Sequence, residues 1–247
     1  MTGGLPLAIG LVALLYAAVG HAGATGYIAV MTLFGIAPEV VRPTALVLNV
    51  LVATIATAQF IQAGHFRGSL FWAIAAASVP CAFAGGALRL PTGVFEKLVG
   101  IVLAASALRL VREAWAASVT PSDTSAATPP RAPVLALLGG GIGLLSGLTG
   151  VGGGVFLTPA LLALDAAPVK KIAAVTAPFI LVNSLAGLAG ALISGRALPP
   201  VSLPVIAAAV IGGAIGAHLG AFRLPVRSLQ LLMAVVLAIA SVKLFGL

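Results

Sequence analysis

Two glycine-rich breaks interrupt apolar stretches at matching places in the two halves of this chain. The first reads Gly20-His21-Ala22-Gly23-Ala24-Thr25-Gly26, and the second Gly147-Leu148-Thr149-Gly150-Val151-Gly152-Gly153-Gly154. Around the first break the apolar stretch covers residues 5–36. As one helix it would be about 48 Å long at about 1.5 Å per residue, against a hydrocarbon core of about 30 Å. Two full crossings would need about 40 residues. The stretch is therefore too long to cross a bilayer once and too short to cross it twice. Two geometries satisfy that length: a tilted, broken single span, or a hairpin of two half-helices meeting near the midplane.

A bilayer is the relevant solvent because of composition. The chain is 61% hydrophobic and 7% charged, with a mean hydropathy of +1.21. A soluble domain carries about 25% charged residues, so this chain could not clothe its surface in water. Strand-like alternation is absent, and a helix satisfies its own backbone in lipid, which makes the chain an all-α polytopic membrane protein. Its 247 residues form one transmembrane domain with room for roughly eight spans. The net charge of +8 comes from basic residues scattered singly. They suit loop ends facing anionic headgroups, and without a basic stripe no nucleic-acid partner is expected. Cys81 is the single cysteine, so neither a disulfide nor a cysteine metal site can form within one chain. It reads as a small buried hydrophobe, with a substrate-facing thiol as the alternative. The apolar run ending at Ala22-Gly23-Ala24 resembles a cleavable signal, but no Lys or Arg precedes Arg42. The charged leader region is missing, so this run is expected to stay in the mature protein.

The breaks belong to a repeat. Apolar segments cover 5–19, 27–36, 43–63, 69–88 and 94–111, then 134–146, 155–164, 172–194, 201–220 and 226–245. At a shift of about 130 residues Gly20 falls on Gly150, Gly23 on Gly153 and Pro38 on Pro168; with one more residue Gly64 falls on Gly195 and Gly85 on Gly216. Repeat one covers 5–111, a connector 112–133 is richest in Pro, Ser and Thr from Thr120 onward, and repeat two covers 134–247. Interrupted apolar segments at corresponding places in two repeats point to a transporter's binding site. A hairpin leaves three full spans per half, an odd number, so the halves would be inverted; a broken span leaves four and keeps them parallel. With hairpins, Arg42, Arg89, Lys97, Arg196 and Lys243 share the side of the N-terminus, and the other eight basic residues lie opposite. The broken-span arrangement divides them six against seven. The positive-inside rule therefore leans toward hairpins, with both termini outside.

Non-helical backbone at membrane depth must be buried in protein or line a polar cavity. Glycines permit positive φ where the chain reverses, and they expose N–H groups at the outgoing half-helices, near Tyr27 and Val155. Helix N-termini favour anions, so the two tips would face one small anion; the alternative is that the glycines only permit close helix packing. His21 is the one ionisable side chain expected at depth, while Glu39, Glu96, Glu113, Asp123 and Asp165 fall in loops or at span ends. Proton coupling, if used, would fall on His21 or on the substrate; a neutral histidine bonded within the tip is the alternative. Val151 stands at the position of His21 in the second half, so the site is chemically asymmetric. Thr44 and Asn49 follow the first break, and Thr176 and Asn183 the second. A buried Asn needs hydrogen bonds, to the hairpin backbone or to substrate. The candidate substrate-binding set is His21, Gly23, Ala24, Thr25, Thr44, Asn49, Thr149, Gly150, Gly152, Gly153 and Asn183. Arg42 reads as a headgroup residue, with gating as the alternative. Gly212, Gly216 and Gly220 lie four apart, for packing inside the chain or for a homodimer seam. No dinucleotide or phosphate-loop motif is complete, the histidines lack metal-ligand spacing, and no catalytic constellation is present. No cofactor or metal is expected.

The stretch from Gly20 to Tyr27, with Arg42-Pro43-Thr44-Ala45-Leu46-x-x-Asn49, resembles the first half of the TauE/SafE family of membrane permeases. Gly143-x-x-Ser146 continuing to Gly154, then Pro159, resembles the second-half signature of that family. The resemblance covers nearly the whole chain and implies movement of sulfite, organosulfonates or related sulfur compounds across the cytoplasmic membrane. Export is the commonest assignment in the family, and uptake is also assigned. The resemblance further implies that hairpins and following Asn residues surround the substrate. A secondary transporter for a small sulfur-containing anion is the expectation; a passive anion channel and a membrane scaffold are the alternatives from other classes.

Overall fold

The computed structural model describes residues 3–18, 20–64, 66–116, 130–164, 166–167, 169–198 and 200–222, together with 238 and 242. The expected last span (226–245), most of the connector, and His65, Asp165 and Pro168 lie outside the described residues. The described residues form helices and no strand: α1 Gly4–Ala18, α2 Ala24–Leu33, α3 Pro38–Gln62, α4 Gly68–Ala87, α5 Thr92–Ala116, α6 Ala132–Thr149, α7 Gly154–Ala163, α8 Val169–Ile193 and α9 Leu203–Phe222. Among them α3, α4, α6 and α8 are long and apolar enough to cross a membrane. Apolar side chains also stud the outside: Leu137 is 81% exposed and Trp72 68%. A water-facing surface would not carry such residues in number; a lipid-facing one does.

Both breaks divide a short helix from a shorter one. Helices α1 and α2 have 15 and 10 residues, and α6 and α7 have 18 and 10. At about 1.5 Å per residue neither α2 nor α7 exceeds about half a bilayer core. In the first pair the chain turns back on itself. A Cβ placed on Gly26 of α2 would lie 2.5 Å from Val12 and 2.8 Å from Tyr16 of α1, and one on Gly4 would lie 3.6 Å from the Phe34 ring. The far end of α2 thus lies over the start of α1, which is hairpin geometry rather than a kinked single rod.

The two halves exchange partners. Helix α1 packs most heavily on α9, and α6 on α4. These are corresponding pairings: the first helix of each half lies on the fourth helix of the other. Glycine makes both contacts close. A Cβ on Gly139, Gly143 or Gly147 of α6 would fall 2.3, 2.2 or 2.1 Å from the carbonyl oxygen of Ile74, Ser78 or Ala82. On α9, Gly212 and Gly216 meet the carbonyls of Gly10 and Leu14 in the same way, each at 2.1 Å. These two glycines of the expected α9 face therefore serve packing inside the chain.

Helices α3 and α8 meet at the centre, and α8 also packs along α4. Ser78 Oγ donates to Asn183 Oδ1 at 2.7 Å, a Cβ on Gly86 would strike Gly187, and Arg89 donates to the Ser194 carbonyl. Numbers rise together along both helices, so α4 and α8 run parallel and end on the same face. Two apolar clusters fill the interior. One joins α1, α2, α3 and α5 through residues such as Ile9, Tyr27, Leu48 and Leu103; the other joins α4, α7 and α8 through Ile74, Leu157, Ile172 and Phe179.

Candidate functional site

The two breaks are built alike. Gly20 and Gly150 close the incoming helices with φ of 78° and 81°, and Gly23 and Gly153 open the outgoing ones with φ of 102° and 81°. Each of these angles is left-handed, a conformation costing an L side chain roughly 1–2 kcal/mol. The Gly20 N–H donates to the Ala17 carbonyl at 3.0 Å and the His21 N–H to Tyr16 at 2.9 Å, while the Gly150 N–H donates to Ser146 at 2.8 Å. Residues 20–31 and 149–154 are almost entirely buried, as irregular backbone at membrane depth requires. The expected starts of the outgoing helices, near Tyr27 and Val155, move back to Ala24 and Gly154.

The tips meet through His21. Its Nε2 lies 3.2 Å from the Gly154 carbonyl oxygen and 3.3 Å from Thr158 Oγ1, both on α7. Thr158 Oγ1 in turn lies 3.1 Å from Thr176 Oγ1, which donates to the Ile172 carbonyl at 2.9 Å. A polar chain thus passes from the first break through α7 into α8. From α3, Asn49 Nδ2 reaches the Val151 carbonyl and Ser184 Oγ, each at 3.4 Å. A Cβ on Gly152 would fall 2.5 Å from that same Nδ2, so glycine admits Asn49 to the second tip. Asn49 therefore serves the other half's break, not the one it follows.

The remaining candidates divide between the tips and the scaffold. Thr149 Oγ1 donates to the Leu145 carbonyl at 2.7 Å and accepts from the Val151 N–H at 3.4 Å, bracing the second tip. Thr25 turns within its own hairpin and donates to Tyr16 Oη at 2.8 Å. Gly23 and Ala24 form the buried start of α2, and Thr44 is buried on α3. Gly153 packs against Ile142 and Phe179. Asn183 lies toward α4: it accepts from Ser78 Oγ and donates to the Phe179 carbonyl at 2.9 Å.

Arg42 departs furthest from expectation. It is only 5% exposed, so its side chain is enclosed by protein. Its guanidinium donates to the carbonyls of Gly85 at 2.8 Å, Gly86 at 3.0 Å, Leu88 at 3.3 Å, and Gly147. These carbonyls close α4 and α6, where the helix dipole is negative. Arg42 thus pins the end of α4 to the second break, and Gly150 abuts it: a Cβ there would lie 3.0 Å from Arg42 Cγ. Ser146, quoted above within the second-half signature, also belongs to this region, as do Thr158 and Ser184, which no motif marks in sequence. Hydroxyls are ordinary inside apolar helices, so only the spacing of Thr158, four residues after Gly154, could have suggested it.

Three buried polar atoms near the second break have no protein partner: Asn49 Oδ1, Ser146 Oγ and Arg42 Nε; Tyr27 Oη, beside Gly23, is a fourth. Leaving such groups unpaired costs on the order of 1–3 kcal/mol each. Among the described residues no group of three metal-ligating side chains comes together. The arrangement offers hydrogen-bond donors, helix ends and one buried cation: equipment for holding a small polar solute.

The model of the family described as "Sulfite exporter TauE/SafE" matches residues 5–244 of this chain. "Probable membrane transporter protein y4hK" of Sinorhizobium fredii is 42% identical over 196 residues, which cover 79% of this chain and 78% of that protein. No solved structure matches the chain.

Proposed function

We propose that this chain, which belongs to the TauE/SafE family of membrane transporters, is a secondary exporter of a small sulfur-containing anion. Sulfite or an organosulfonate would be carried across the cytoplasmic membrane. The substrate is held where the two glycine breaks meet. The observation that carries this reading is the contact of His21, on the first break, with Gly154 and Thr158 at the start of α7. His21 stands three residues before Ala24, the start of α2, and reaches Gly154, the start of α7; in this reading both N-termini serve one site, because N-termini favour anions. Asn49, Thr149 and the tip glycines supply neutral contacts around it, and protons or the substrate gradient supply the driving force, with His21 as the protein's proton carrier.

The halves are inverted in this reading. Helices α4 and α8 end side by side, where Arg196 donates to the Leu88 carbonyl at 2.6 Å. Between them lie α5, which with 25 residues spans about 37 Å, and the α6–α7 pair. If α5 crosses once, parallel α4 and α8 require α6–α7 to return to the face it left. That makes the second break re-entrant, like the first. Rocking of the halves about α3 and α8 then exposes the tips alternately to the two sides.

The test is flux in proteoliposomes containing the purified chain. Sulfite and sulfoacetate should be taken up with saturation, and unlabelled substrate on the far side should accelerate exchange. Linear, non-saturating flux without exchange would identify a channel. No flux of either anion would remove the sulfur-anion assignment.

A further inference from the structure

We infer that the protein's N-terminal face carries a second anion site, an arginine vestibule in which Arg89, Arg196 and Arg42 receive a sulfonate or carboxylate group on its way between solvent and the hairpin tips. Its place in transport rests on the proposed function; its binding chemistry does not.

The site is a pocket of ≈ 390 Å³ whose wall includes Glu39, Arg42, Arg89, Phe95 and Arg196. Three arginines and one glutamate line it, an excess of two positive charges in a chain with few charges of any kind. The arginines come from three places far apart in sequence: the first turns of α3, the α4–α5 turn and the segment after α8. Only the parallel ending of α4 and α8 brings them together. Arg42 Nη1 and Arg196 Nη2 donate to the same oxygen, that of Leu88, at 3.3 and 2.6 Å. Two like charges on one carbonyl repel, and burial followed by the charge of Arg89 pulls the Arg196 guanidinium below its ordinary range. A bound anion relieves both effects.

The three residues also form a gradient. Arg89 is exposed, Arg196 half-buried and Arg42 buried. Arg42 keeps an unpartnered, fully buried Nε and touches Gly150 of the second break. An anion drawn to Arg89 and Arg196 therefore stands one side chain away from the tip. The pocket is far larger than one sulfonate, since a water's share of liquid volume is about 30 Å³. It suits a hydrated anion being recruited, and electrostatic focusing of this kind acts on encounter. At the shift that aligns the breaks Ile172 stands where Arg42 does, so Arg42 has no counterpart at that place in the second half.

Two measurements test the vestibule. In the first, purified full-length protein is modified with phenylglyoxal in sodium sulfoacetate or in sodium chloride of equal ionic strength, and each arginine is followed by mass spectrometry. Arg89 and Arg196 should react at least three-fold more slowly in sulfoacetate, while Arg131, outside the pocket, should not change. Absence of selective protection overturns the site, whatever the flux. In the second, sulfoacetate flux is measured for the Arg89→Gln/Arg196→Gln double variant. KM should rise about five-fold with Vmax within two-fold, the salt dependence of kcat/KM should flatten, and Arg89→Lys/Arg196→Lys should restore both. A purely structural tie between helix ends would instead lower Vmax and leave the salt dependence intact. Protection with KM unchanged overturns the role in transport. Protection without any sulfoacetate flux leaves the anion site standing and removes the proposed substrate.

Discussion

At the scale of single residues, two asparagines that look equivalent in sequence do different work. Asn49 crosses to the Val151 carbonyl with Oδ1 unpartnered, whereas Asn183 is consumed by Ser78 and Phe179. Asn49→Ala is expected to cut the flux of folded protein at least ten-fold, beyond the cost of about 1–3 kcal/mol from orphaning its buried partners. Asn183→Ala should leave KM unchanged and destabilise by about 1–3 kcal/mol, because Ser78 Oγ loses its buried acceptor. Flux and thermal melting, measured side by side, separate the two; equal losses of flux would return Asn183 to the substrate site. His21 supplies the link between breaks. If it carries the proton, His21→Gln should transport with a flattened pH profile. An unchanged profile moves the proton to the substrate. His21 and Asn49 were legible because a polar side chain in a long apolar run must be explained. Arg42 stands before the apolar run in sequence, but α3 begins at Pro38 and places Arg42 a full turn inside the helix. Its anchoring carbonyls, on α4 and α6, are invisible to any local reading.

At the scale of helices, small residues set how closely the elements approach. The α9 face of Gly212 and Gly216 was readable as spacing, and it closes on α1. The α6 face of Gly139, Gly143 and Gly147 is harder to read, because its last member, Gly147, is also the first residue of the glycine break. That overlap has a physical sense: α6 must lie flush on α4 up to the point where the chain reverses. Gly141 and Gly143 make a matched test, since a Cβ on Gly141 meets nothing within 4 Å and one on Gly143 lies 2.2 Å from the Ser78 carbonyl oxygen. Gly141→Ala should be neutral or stabilise by up to about 1 kcal/mol, the helix-propensity difference. Gly143→Ala should destabilise by about 1–3 kcal/mol through overpacking. Melting temperature in detergent reads both, and equal behaviour of the two variants would mean that α6 and α4 are not held at backbone contact.

At the scale of the whole molecule, the decisive quantity is which face each loop occupies. Segment lengths narrowed the sequence to hairpins or broken spans, and the count of basic residues leaned only slightly toward hairpins, since thirteen charges over two faces carry little information. Packing adds what charge could not: Phe34 lies over Gly4, and the ends of α4 and α8 are tied by Arg89 and Arg196. Labelling can decide between the two topologies. In a Cys81→Ser background, Ala37→Cys, Ser69→Cys and Ala197→Cys place single thiols after α2, at the start of α4 and after α8. Re-entrant breaks put residues 37 and 197 on one face and residue 69 on the other. A broken single span at α6–α7 would separate residue 37 from residue 197, because that break, the one lying between them, would then add a crossing. A membrane-impermeant maleimide applied to oriented vesicles should therefore label the thiols at 37 and 197 together, and the one at 69 only after the membrane is opened, or the reverse if the vesicles are inverted. Opposite accessibility of 37 and 197 would sink the inverted arrangement. It would also undo the arginine vestibule, which requires the first turns of α3 and the end of α8 to share one face.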